Sequence, residues 1–136
     1  MTALPFIIVV GFMLRIWGID FGLPFLYHAD EPIVVNHALS YGMGDWNPHF
    51  FKIPPLVSYL LFVCYGISYG GGRILGIFKG RGDFEALFLS DPTFFYLLAR
   101  IIFGVLLGTA SIYVFYRLIR RFFSKELAYV GALLLA

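Results

Sequence analysis

From Phe94 to Tyr116 the chain runs twenty-three residues with one charged side chain, Arg100. A helix of that length rises about 35 Å, enough to cross the ~30 Å hydrocarbon core of a bilayer with some tilt. Shorter apolar stretches lie at 4–19, interrupted near its end by Arg15 and closed by Trp17, and from Leu56 either to Tyr69 or, if Arg73 snorkels to the surface, to Phe78. A fourth, 127–136, stops before the roughly 20 residues that a crossing takes. No basic segment precedes the first stretch and no small-x-small cleavage site follows it, so an uncleaved span is expected there rather than a signal peptide.

The composition agrees: 60% of the 136 residues are hydrophobic and 13% charged, against about 25% charged in an ordinary soluble domain. The expected fold is therefore all-α: polytopic transmembrane helices, with spans at 4–19, 56–78 and 94–116 and an incomplete one at 127–136. The chain reads as the amino-terminal part of a longer, multi-pass protein of the cell membrane. Nucleic acid is an unsuitable partner, because the net charge is only +2 and the ten Lys and Arg form no stripe. The single cysteine, Cys64, excludes an intrachain disulfide. Gly70 to Gly72 lack the Gly-Lys-Ser/Thr of a phosphate loop and read as a helix break. Lys79 to Pro92 reads as a mixed-charge connector. Arg117, Arg120, Arg121 and Lys125 mark an interfacial turn.

Residues 20–55 differ in kind, with four of the eight acids, all three histidines and five of the seven prolines. Within this loop Pro32 to Tyr41 is expected to form a short amphipathic helix on the membrane surface, stopped by Gly42 and Gly44, with Val34, Val35, Ala38 and Leu39 toward the lipid. Asp30 and Glu31 stand at its start, where one carboxylate suffices as a cap and the other is left to explain. Lys52 stands where the chain returns to the membrane, placed to meet a lipid phosphate or simply to snorkel. His28, His37 and His49 share the loop with acids but have no ligand spacing such as His-Glu-x-x-His. No metal or other cofactor is expected; a divalent cation on carboxylate oxygens is the minor alternative.

Three blocks occur in order: His28-Ala29-Asp30-Glu31; then Asn36-x-Ala38-Leu39; then Gly44-Asp45-x-Asn47-Pro48-His49-Phe50-Phe51-Lys52-x-Pro54-Pro55-Leu56. Farther on come Phe95-Tyr96-Leu97-Leu98-Ala99-Arg100, Gly108-Thr109 and Tyr116-Arg117-Leu118-x-x-Arg121-Phe122. From Arg15 onward this series resembles the amino-terminal region of the dolichyl-phosphate-mannose protein mannosyltransferase-like family. Those are membrane glycosyltransferases of the C-type superfamily, which also includes the lipid A aminoarabinose transferases. The resemblance implies that the first loop is extracytoplasmic. It also implies that Asp30 is the catalytic base, that Glu31 helps hold the acceptor and that Lys52 meets the phosphate of a polyprenyl-phosphate-linked sugar donor. Many relatives carry Arg or Tyr just after the acidic pair; Pro32, Ile33 and Val34 stand here and leave the acceptor open.

The chemistry so implied is physically coherent. A sugar joined through phosphate to a polyprenol already has a stable anionic leaving group, so its departure needs charge neutralisation, which Lys52 offers. The acceptor hydroxyl, on a protein, lipid or glycan, needs a group to orient it and take its proton, which suits Asp30. In-line attack inverts the anomeric centre with one base, unlike the two carboxylates of glycoside hydrolysis. A piece of this length alone is expected to be inactive. The rival reading is a non-catalytic subunit for lipid-phosphate binding or transport, which uses Lys52 and is indifferent to Asp30. With three alternating spans, Lys79 and Arg81 fall inside and the cluster Arg117 to Lys125 outside, the reverse of the usual cytoplasmic excess of Lys and Arg. Following the resemblance on this point rests on the tolerance of either face for basic residues beside lipid phosphates.

Overall fold

The computed structural model describes residues 3–25, 27 and 29–136, and every ordered element among them is helical. The helices are α1 (Leu4–Ile16), α2 (Asp30–Ser40, continued by a 3-10 turn at Tyr41–Met43), α3 (Leu56–Ile74), α4 (Arg81–Ser90), α5 (Thr93–Phe122) and α6 (Lys125–Leu135). Among the described residues α5 is the one helix long and apolar enough to cross a membrane: 30 residues, about 45 Å, with a mean hydropathy of 2.0 over its most apolar window. Only 11% of that window is buried, which is not how the core helix of a water-soluble domain sits. α1 is apolar but at 13 residues covers about 20 Å.

The chain divides into two compact units, one made of 1–21 and 98–136 and the other of 22–97. In the first, Ile7, Ile112 and Ala132 form a small core joined by Leu4, Ile8, Tyr116 and Tyr129. Glycines let the helices approach closely: a Cβ on Gly11 would strike Ile112, and one on Gly131 would strike Ile119. Small residues at such contacts are the usual packing device of helices in lipid. The direction of the helices follows from the pairs. Ile112 meets Gly11, Arg15 lies against Gly108, and the Arg100 guanidinium donates to the carbonyls of Ile19 (2.7 Å) and Phe21 (2.9 Å). Advancing along α1 means retreating along α5, so the two are antiparallel.

The second unit is built on aromatic contacts. Tyr41, Leu61, Tyr65, Phe95 and Tyr96 are buried with Val35 and Ala38. The Tyr41 ring stacks on Tyr59 at 4.7 Å and on Trp46 at 6.2 Å, and Phe95 makes T-shaped contacts with Tyr65, Phe84 and Phe88. Tyr65 also donates its hydroxyl to the Phe95 carbonyl at 2.9 Å.

Several sequence expectations change here. The connector 79–92 contains α4, held by Phe84 and Phe88 against Phe95. Gly70 to Gly72 do not break α3: Phe78 folds back onto the bare face of Gly72, the Ile77 amide donates to the Gly72 carbonyl at 2.8 Å, and the chain turns at Gly76, whose φ is +74°. α3 therefore ends at Ile74 rather than Phe78, and its glycines and Arg73 dilute its apolar character. α2 starts at Asp30, two residues early, and is no free surface helix. Its Val35 and Ala38 are buried in the protein, where lipid contact was expected. The segment 94–116 is helical throughout and lies within α5. Its stretch Arg100–Leu107 is wound as a π-helix, a local widening that nothing in the sequence signalled.

Candidate functional site

Asp30 and Glu31 lie in the first turn of α2, and the N-cap position is Ala29, with no side chain closing the helix end. Among the described residues, capping, the ordinary reason for a carboxylate here, is not the role of Asp30. Asp30 is exposed and makes no ion pair or side-chain hydrogen bond with a described residue. What remains is the attraction between carboxylates and a helix N-terminus, worth about 0.3–1 kcal/mol at an exposed site. Glu31 is half-buried and within electrostatic reach of Tyr96. His28, the first residue of the motif, lies outside the described residues.

Lys52 is exposed on the strap 44–55 that leads into α3, and it too forms no ion pair with a described residue. The strap is held against α2 on both sides of Lys52. Phe50 stacks on His37 at 5.9 Å, with the rings 20° apart, and Phe50, Ile53 and Pro54 close a small crevice with Ile33 and Val34. Ile33 and Val34 lie one turn from Asp30, about 5 Å along the axis, so Asp30 and Lys52 are each close in sequence to residues that line the seam, while neither lines it. Where α3 begins, Tyr41 and Ser58 share a buried hydrogen bond of 2.9 Å, and Tyr59 donates to the Trp46 carbonyl at 2.7 Å.

The shape of the strap comes from residues whose sequence pattern carried no stated role. Asp45 Oδ1 accepts the Asn47 amide at 2.9 Å, Asn47 Oδ1 accepts the His49 amide at 3.0 Å, and the His49 ring meets Asp45 Oδ2 at 2.8 Å. Two consecutive Asx turns thus close into a clasp, which holds His49 at φ +53°. Asp-x-Asn two residues apart is the signal that could have revealed it. The His49 ring, helped by the Asn47 amide, holds the Asp45 carboxyl below the ordinary aspartate value of 3.8. A depressed folded-state pKa stabilises the fold above the unfolded value, and that contribution is lost as pH falls through the depressed one. Accordingly Trp46 emission, read in a Trp17→Phe background, is expected to shift as pH falls below 3.8, as the clasp opens. An identical acid transition in Asp45→Asn would show that the clasp is not its source.

Among the described residues no three His, Cys, Asp or Glu side chains converge as a metal site. No protein-family model, curated protein or solved structure matches the chain. The site's distinctive feature is a solvent-facing carboxylate with no capping or ion-pair partner among the described residues, on a helix strapped to the loop that carries an ammonium likewise without an ion-pair partner among them.

Proposed function

We propose that the protein is an inverting membrane glycosyltransferase that moves a sugar from a polyprenyl-phosphate-linked donor to a hydroxyl acceptor at the extracytoplasmic membrane face. Asp30 is the base that takes the acceptor proton, Glu31 positions the acceptor, and the Lys52 ammonium neutralises the departing phosphate. The observation that carries the reading is the seam between α2 and the strap, because it brings residues from two separate sequence blocks into one neighbourhood. The family resemblance of those blocks supplies the reaction; the absence of a capping role for Asp30 supports a chemical one.

The proposed topology departs from three alternating crossings. α1 and α5 cross in opposite senses, so the chain between them makes no net crossing and both of its ends are extracytoplasmic. Between Arg100 and Arg117 α5 has sixteen uncharged residues, about 24 Å, close to the length of α1. Both spans are shorter than a ~30 Å core and need local thinning, while Arg15, set against Gly108, gives its guanidinium to the carbonyls of Gly11, Leu135 and Ala136. The cluster Arg117 to Lys125 then lies in the cytoplasm, in accord with the positive-inside rule.

The test is transfer by the intact purified protein from a polyprenyl-phosphate sugar. Lys52→Gln is expected to lower kcat by about 10²-fold, the usual cost of losing one preorganised charge-stabilising group. The product anomer should be inverted relative to the donor. Retention of configuration, or full activity in Lys52→Gln, would refute the assignment.

A further inference from the structure

Besides the seam, the second unit contains a cleft of about 840 Å³, within the ~300–1,000 Å³ of small-molecule sites. It runs along one face of α3, past Phe62 and Tyr65, between the end of α2 and α4. Its walls are mostly aromatic and aliphatic, and its rim carries Met43 and Leu89, exposed by 85% and 75%. Exposed apolar groups around an apolar trough suit an acyl chain better than a water-soluble ligand.

Two charges line the same cleft, Arg81 and Glu85 of α4. At i and i+4 their Cβ atoms are about 6 Å apart, yet with Arg preceding Glu the pair has the less favourable order. Neither side chain makes an ion pair or hydrogen bond with a described residue. The cleft therefore presents one cation and one anion, a helical turn apart, beside an apolar trough.

We propose that this cleft binds a zwitterionic aminophospholipid, phosphatidylethanolamine. Its phosphate meets Arg81, its primary ammonium meets Glu85, and an acyl chain lies along the aromatic wall. Both headgroup contacts are charge-assisted hydrogen bonds. A phosphatidylcholine headgroup has no N–H to give Glu85, and phosphatidylglycerol has no cation to offset it. The inference rests on the membrane location proposed above and is independent of the transfer chemistry.

The experiment is native mass spectrometry of the intact protein released from detergent, titrated with dioleoyl phosphatidylethanolamine, phosphatidylcholine or phosphatidylglycerol. One phosphatidylethanolamine should be retained about tenfold more tightly than phosphatidylglycerol, the worth of one charge-assisted hydrogen bond. Glu85→Gln should abolish that preference, and Arg81→Gln should weaken all three lipids. Gly66 lines the cleft with open space where a Cβ would stand, so Gly66→Leu should fill the trough and release the lipid. Asp30→Asn should retain phosphatidylethanolamine unchanged, which separates failure of this inference from failure of the transferase assignment. Equal retention of phosphatidylethanolamine and phosphatidylglycerol, or an unchanged preference in Glu85→Gln, would overturn the proposal.

Discussion

Asp30→Asn in the intact protein is expected to lower sugar transfer by about 10²–10⁴-fold, the range of a general base, while the donor lipid still binds. Asn keeps the size and hydrogen-bonding reach of Asp but cannot accept the acceptor's proton, so the loss should fall on kcat and leave the donor KM nearly unchanged. Folding should be almost untouched. Asp30 is exposed, caps no helix and forms no ion pair with a described residue, so only its attraction to the α2 N-terminus is lost. Thermal unfolding of the variant in detergent checks that point directly.

The same pair of variants separates the enzyme from a lipid-phosphate-binding subunit. A subunit that only holds or moves the lipid needs the Lys52 ammonium and has no proton to transfer. It would lose donor binding in Lys52→Gln and behave as wild type in Asp30→Asn. An enzyme loses turnover in both. Transfer by Asp30→Asn within a few-fold of wild type would therefore sink the base assignment even if Lys52 proved essential.

How much of this was legible in the sequence depends on the range of the interactions involved. The apolar segment 94–116 was readable because length and hydropathy are local sums, and it lies within α5. α4 was hidden because its short apolar face, Phe84 and Phe88, becomes meaningful only against Phe95. Gly70 to Gly72 read as a break by propensity, but tertiary contact with Phe78 fills the space beside Gly72 and keeps the helix. The acidic pair and Lys52 could be singled out as residue types at a boundary. That α2 and the strap share a seam depends on ring stacking between His37 and Phe50, which no spacing rule supplies.

Helix direction was the least legible feature, since it is fixed by contacts such as Arg100 to Ile19, 81 residues apart in sequence. It also carries the sharpest all-or-none prediction. In a Cys64→Ala background, Ser90→Cys and Phe123→Cys report the two disputed segments, and both positions are exposed. With α1 and α5 crossing in opposite senses, a membrane-impermeant maleimide applied to intact cells should label Ser90→Cys fully. Phe123→Cys should label only after permeabilisation. Three alternating crossings demand the opposite pattern, because α3 would then carry 79–92 to the inside and α5 would return 117–125 to the outside. That arrangement would require parallel α1 and α5, whereas Gly11 meets Ile112 and Arg15 meets Gly108. It would also place four cations on the face where Lys and Arg are normally scarce. The antiparallel pair removes both conflicts and agrees with the proposed extracytoplasmic first loop, where the proposed donor and acceptor would meet.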